Sequence, residues 1–175
     1  GIVGTGRIGR HVARIAHGFG LKVIASDTQP DQSFAETVGL TYRTLPELLA
    51  QSDIVTLHVP SRPETEHLLN DATFAQMKRG SFLINTSRGS VVETEALVKA
   101  LRSGQVAGAA LDVLEEEGVI RDELDFLSAP HPEEHNLRTA IANHALIDLP
   151  NVIVTPHNAF NTTEALGRIL EITLD

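Results

Sequence analysis

The stretch Ile2-Val3-Gly4-Thr5-Gly6-Arg7-Ile8-Gly9 decides the fold. An apolar pair, the end of a strand, runs into G-x-G-x-x-G. Beyond it, Ile8, Val12, Ile15 and Phe19 recur at the spacing of one helix face, which predicts a helix over 7–19. In a strand–turn–helix unit of this kind each glycine has a separate task. Gly4 allows the tight turn, Gly6 lets backbone approach a pyrophosphate, and Gly9 lets helix and strand pack closely. The unpaired N–H groups of the first helical turn, those of Arg7 and Ile8 among them, then face an anion. The motif predicts a dinucleotide site.

Outward from the motif, an apolar run over 21–26 predicts a second strand, and Asp27 ends it. An acid about 20 residues beyond the glycines accepts hydrogen bonds from ribose hydroxyls and repels a 2′-phosphate, so NAD is expected over NADP. Taken alone, Asp27 also suits the first position of a turn reaching Pro30. Further strands are predicted over 53–58, 81–85, 106–111 and 152–155. Helices are predicted over 46–51, 71–77, 93–103 and 162–174. The strands are continuously apolar rather than alternating, as in a parallel sheet buried on both faces. Repeated β–α alternation therefore predicts an α/β fold, a Rossmann-type doubly wound, mostly parallel sheet. Residues 115–143, rich in Glu, His and Pro, break the rhythm and read as a polar excursion with room for short helices.

Composition narrows the function classes. The 175 residues suffice for one domain with a sizeable core. A net charge of −9 with no basic patch argues against nucleic acid. There is no cysteine, so disulfides, thiolate metal sites and thiol nucleophiles are excluded, and a reducing cytoplasm is the expected setting. No apolar run is long enough to span a bilayer, and a membrane partner is not expected. Of the eight histidines, His131 and His135 fall in the excursion and His144 just past it, and no metal site is expected there. His11 and His17 are expected on the helix surface. His67 adjoins a predicted helix and has no partner motif.

Three further segments lie just beyond predicted strands: Ile84-Asn85-Thr86-Ser87-Arg88-Gly89, Leu111-Asp112-Val113-Leu114-Glu115-Glu116-Glu117 and Thr155-Pro156-His157. In this order, with the glycine motif, they resemble the D-2-hydroxyacid dehydrogenase family over essentially the whole chain. The resemblance implies hydride transfer between nicotinamide and a D-2-hydroxy acid or 2-oxo acid. It implies His157 as acid–base, Glu117 as its carboxylate partner, Arg88 as the substrate-holding cation, and Asp112 beside the nicotinamide. It also implies cofactor contacts from Val59 and Pro60 at the adenosine and from Thr86 and Ser87 near the nicotinamide, while His58 is expected to line the adenine pocket. The run from His157 to Ala165 is more similar to the D-lactate dehydrogenase-like branch than to the phosphoglycerate branch. Family members add a substrate domain built from both chain ends. On that pattern residues 1–175 are the dinucleotide-binding domain, the substrate domain lies outside the sequence, the fragment alone is inactive, and the protein is a homodimer.

The residue chemistry agrees independently. Reducing a ketone puts negative charge on its oxygen, so a proton donor is required, and histidine titrates in the useful range. Arginine presents a planar fork to a carboxylate. Nicotinamide carries the hydride, so neither metal nor covalent nucleophile is needed. Simpler roles remain open for single residues: a structural ion pair for Arg88, a turn cap for Asp112, and a solvated acid run for Glu117. A short-chain dehydrogenase needs Tyr-x-x-x-Lys, but Pro46 stands four past Tyr42, the only tyrosine. The late Arg, Asp and His motifs disfavour a methyltransferase. An NAD(H)-binding regulator or corepressor on the same scaffold is the alternative, and it has no need of Arg88 or His157.

Overall fold

The computed structural model describes residues 1–117 and 134–174. Its regular elements are β1 (Ile2–Val3), α1 (Arg7–Gly18), β2 (Ile24–Ser26), α2 (Gln32–Val38), β3 (Thr41–Tyr42), α3 (Leu45–Gln51), β4 (Ile54–Leu57), α4 (Asp71–Gln76), β5 (Ser81–Asn85), α5 (Thr94–Arg102), β6 (Val106–Leu111), α6 (Glu134–Ile147), β7 (Val152–Val154) and α7 (Thr163–Leu174). The strands form one seven-stranded sheet in the order β3-β2-β1-β4-β5-β6-β7. Every pairing is parallel, with registers such as Ile2 opposite Ala25 and Thr56, and Leu57 opposite Asn85. The expected doubly wound sheet is therefore present. Winding reverses between β1 and β4, and at that switch point the loops leaving the carboxyl ends part to form a crevice.

Two apolar clusters flank the sheet. Val55, Leu57, Leu83 and Leu111 pack with Leu48, Leu49, Phe74, Leu97 and Leu146 from α3 to α6. Ile2 and Ala25 pack with Ala13 of α1 and Phe34, Ala35 and Val38 of α2. Strand side chains fill both clusters, the physical reason the strands read as continuous apolar runs.

Three differences from the sequence expectations have local causes. The predicted stripe of α1 faces mostly outward: Ile8, Ile15 and Phe19 are 66%, 60% and 79% exposed, and only Val12 packs against the cluster. The buried residues are Gly9 and Ala13. A Cβ on Gly9 would stand 2.0 Å from the Gly4 carbonyl oxygen, so the helix docks through its smallest residues. Next, α2 and β3 were not expected. Asp31 caps α2 by accepting from Phe34 N–H at 3.0 Å, and Gly39 ends it at φ +73°.

The third difference is α6, a helix of 14 residues that begins inside the predicted excursion and runs past its end. Among the side chains described from residue 137 on, the buried positions are Thr139, Ala142, Asn143 and Leu146. They keep helical spacing, but two of the four are polar, so hydrophobic periodicity does not reveal them. Of the excursion, residues 118–133, with His131, lie outside the described residues, as does the side chain of His135. No described helix is long and apolar enough to cross a membrane.

Candidate active site

The sequence-predicted residues collect at the carboxyl ends of the strands. Gly4 to Gly9 follow β1, Asp27 follows β2, His58 to Pro60 follow β4, Thr86 to Arg88 follow β5, Asp112 to Glu117 follow β6, and His157 follows β7. One connected edge results from residues spread over most of the chain.

At the switch point, Gly4 has φ +92°, and a Cβ there would stand 2.8 Å from the His58 carbonyl oxygen. Only glycine meets both conditions. Gly6 is the N-cap of α1, with no side-chain cap and nothing within 4 Å of its would-be Cβ. A groove of about 480 Å³ lined by Gly4, Gly6, Asp27, His58, Val59 and Pro60 adjoins this turn, where α1 begins with Arg7 and Ile8 and leaves its first N–H groups without helical partners. Burial holds the His58 imidazole below the ordinary histidine pKa, favouring the neutral ring, and Nε2 lies 3.0 Å from Thr56 Oγ1.

Asp27 is fastened to the glycine turn. Its Oδ2 accepts from Thr5 N–H at 2.6 Å and Thr5 Oγ1 at 2.8 Å, and its Oδ1 accepts from Gln29 N–H at 2.8 Å. Tyr42 Oη lies 2.9 Å from Thr5 Oγ1. Burial is the largest single influence on Asp27 and acts to raise its pKa. The bonds from Gln29, Thr5 and Thr28 together outweigh it and hold the carboxyl below the ordinary value. Sequence reasoning singled out neither Thr5 nor Tyr42 for this network, since nothing local marks contacts across so many residues.

The other end of the edge carries His157 with Asp112 and Glu117. A cavity of about 310 Å³ is lined by Ile84, Thr86, Asp112, Thr155, Asn158 and Ala159. A neighbouring one of about 200 Å³ is lined by Asp112, Leu114, Glu117, Ile147, Pro156 and His157. His157 Nδ1 lies 2.9 Å from Glu117 Oε2; a carboxylate only accepts, so the ring donates. Glu117 Oε1 also accepts from Leu114 N–H at 2.9 Å. Nε2 is then the ring nitrogen turned away from the carboxylate. Within the acid run, Glu117 is the residue that meets the histidine.

Asp112 is buried and anchors the loop bearing His157. Its Oδ1 accepts from Thr155 Oγ1 at 2.5 Å and Asn158 N–H at 2.9 Å, and its Oδ2 accepts from Ala159 N–H at 2.8 Å. These bonds hold His157 at φ +51°, an uncommon conformation for a non-glycine residue. Burial, the largest influence, acts to raise the Asp112 pKa, but the bonds from Thr155, Ala159 and Asn158 and the nearby His157 lower it overall.

After β5, Thr86 is exposed at the cavity while Ser87 turns inward, its N–H and hydroxyl both donating to Asn85 Oδ1. Arg88 is exposed, with Nη1 donating to the Ser87 carbonyl at 2.7 Å. His11 and His17 are exposed on α1, as expected. His67 departs from expectation: its Nε2 lies 2.5 Å from Glu115 Oε1.

A seven-stranded parallel sheet with an uncapped glycine turn at its switch point, an acid at the end of the next strand and a histidine–carboxylate pair defines a nicotinamide-dinucleotide-binding domain of the dehydrogenase type. Residues 1–159 match the family model for the NAD binding domain of the D-isomer specific 2-hydroxyacid dehydrogenases, and the chain belongs to that family. Among similar curated proteins, 2-hydroxyacid dehydrogenase A of Aspergillus oryzae is 44% identical over 174 residues, covering 99% of this chain and 47% of that protein. D-lactate dehydrogenase of Treponema pallidum is 39% identical over 175 residues, covering 100% and 50%. The crystal structure of D-lactate dehydrogenase from Aquifex aeolicus, complexed with NAD and lactic acid, superposes with a TM-score of 0.87 at 38% identity, covering 99% of this chain and 50% of that one. The chain spans about half the length of the relatives it matches.

Proposed function

We propose that this domain serves the interconversion of a D-2-hydroxy acid and its 2-oxo acid, in a protein whose substrate cleft is closed by a second domain outside these residues. The observation that carries the reading is the His157 Nδ1–Glu117 Oε2 bond of 2.9 Å at the strand edge that also holds the dinucleotide turn. A proton donor and a cofactor cradle on one edge are what carbonyl reduction needs.

NAD(H), when bound, supplies or accepts the hydride. The open approach at Gly6, the uncapped first turn of α1 and the carboxylate of Asp27 fit its pyrophosphate and ribose. Arg88 holds the substrate carboxylate through its exposed guanidinium. His157 gives a proton at Nε2 to the carbonyl oxygen in reduction and takes it back in oxidation. Glu117 fixes the ring and stabilises the imidazolium. The substrate class follows the relatives, whose names share a 2-hydroxy or 2-oxo acid. We further propose a cytoplasmic homodimer; the cysteine-free sequence and the exposed apolar residues Ile8 and Ile15 of α1, with Phe19 at its end, support it.

The test is NADH-dependent reduction of a 2-oxo acid by the complete enzyme. His157→Gln should lower turnover by roughly a hundredfold or more and leave NADH affinity intact. Near-normal turnover in that variant sinks the mechanism. Equilibrium sedimentation at a monomer's mass would remove the dimer.

A further inference from the structure

Glu115 is 8% exposed and joins three loops. Its Oε1 accepts from His67 Nε2, in the segment after β4, at 2.5 Å. Its Oε2 accepts from Thr94 N–H at 3.0 Å and Thr94 Oγ1 at 2.8 Å, at the start of α5. Its own carbonyl accepts from Asn143 Nδ2 of α6 at 2.8 Å. The carboxylate thus rests on the positive end of a nine-residue helix while reaching back to a histidine 48 residues earlier.

These contacts surround the substrate arginine. His67 N–H donates to the Ser90 carbonyl at 2.8 Å, and Leu69 N–H donates to the Val91 carbonyl at 3.0 Å. Leu69 and Val92 form an isolated parallel bridge, so the segments after β4 and β5 run side by side just past Arg88. On the other side, a Cβ on Gly89 would stand 1.9 Å from the Leu114 carbonyl oxygen and 2.6 Å from Glu115 N. The backbone beside Arg88 is therefore clasped between the His67 segment and the loop that continues into Glu117. His67 itself sits at φ +46°, a strained conformation held by Ser90 on its N–H and by Asn70 Nδ2 on its carbonyl at 3.0 Å. No chemistry of hydride or proton transfer requires this histidine or this buried carboxylate.

We infer that Glu115, acting through His67 and Thr94, is a positioning residue that sets Arg88 relative to the His157–Glu117 pair. It touches neither substrate nor cofactor. It fixes the separation between the group holding the substrate carboxylate and the group protonating the adjacent oxygen. In a 2-oxo acid these two ends are one bond apart, so the separation must be set closely. The inference rests on the role of Arg88 given under the proposed function.

The experiment compares wild type, Glu115→Ala, His67→Ala and Glu115→Gln in the complete enzyme. It reads KM and kcat for a 2-oxo acid, the dissociation constant of oxamate from the NADH complex, NADH affinity alone, and the melting temperature. Glu115→Ala and His67→Ala should raise KM and the oxamate constant by about tenfold or more, with kcat falling less than KM rises and NADH affinity within about twofold of wild type. Glu115→Gln should restore both to within about threefold, since an amide can accept from Thr94 and donate to the imidazole. A lowered melting temperature with unchanged KM and oxamate binding overturns the inference and makes Glu115 only a brace of the fold. Should Glu115→Ala not fold, His67→Ala at the part-exposed histidine decides by the same readings. Failure of the wild-type enzyme to reduce any 2-oxo acid removes the functional reading itself, an outcome distinct from an active enzyme whose KM does not move.

Discussion

Two glycines of one motif should fail in different ways when each becomes alanine. At Gly9 the added Cβ would stand 2.0 Å from the Gly4 carbonyl oxygen and 3.1 Å from its carbon. That neighbour is backbone in the turn between β1 and α1, so it cannot swing aside as a side chain would. Restoring an ordinary contact requires the helix to lift by more than an ångström from a face whose other buried residue is Ala13. Overpacking of this kind costs about 3 kcal/mol, which for a domain of this size lowers the melting temperature by roughly 6–12 °C. Gly6 has φ −66° and empty space where its Cβ would be, so Gly6→Ala meets neither strain nor clash in the free protein. Its melting temperature should stay within about 2 °C of wild type. The methyl group would stand where backbone must approach the pyrophosphate, so NADH affinity should fall about tenfold or more. Thermal denaturation and fluorescence titration with NADH on the same samples give both numbers. Wild-type NADH binding by Gly6→Ala would remove the pyrophosphate from that turn. Wild-type stability of Gly9→Ala would refute the packing argument.

Asp27 should set cofactor choice. Wild type should prefer NADH over NADPH by about tenfold or more, because the carboxylate repels a 2′-phosphate, and Asp27→Ala should narrow that gap; equal affinities in the wild-type protein would discard the assignment. Asp112 gives a pH signature. Its pKa is lowered in the fold, so its stabilising contribution is complete above about pH 4 and is lost as pH falls through the lower folded value. Urea unfolding of wild type at pH 5 and pH 3 should therefore show a larger loss on acidification than Asp112→Asn shows. The variant should be less stable at neutral pH by about 2 kcal/mol, having weakened bonds to Thr155, Asn158 and Ala159; an identical acid dependence in both proteins would count against this account.

What the sequence disclosed, and what it did not, divides along contact range. Gly4, Gly6 and Gly9 act on backbone a few residues away, and Asp27, Thr86, Asp112 and His157 each end an apolar strand, so their gathering follows once the sheet is parallel. The pairing of Glu117 with His157 across 40 residues came from family resemblance, and the acid run by itself pointed to solvent. His67 with Glu115, and Thr5 with Asp27 and Tyr42, left no local trace. The helix α2 did leave one, in the Asp31 cap and the Gly39 stop, though its seven residues are too few for a clear apolar period. Polar Thr139 and Asn143 concealed α6. The α1 stripe misled because the sheet selects small residues for its closest helix, an outcome of packing rather than periodicity.

The two borders of the sheet have a consequence for how copies of this domain meet. β3 has two residues and β7 three, so each rim offers very few unpaired backbone groups to an incoming strand. Strand addition, the common route to fibrils and runaway aggregation, finds almost no template here. Helix faces, whose backbone hydrogen bonds are already satisfied along their length, do not template strands in this way. With edges this short, the exposed apolar residues Ile8 and Ile15 of α1 are not accompanied by a long strand edge that could template polymers.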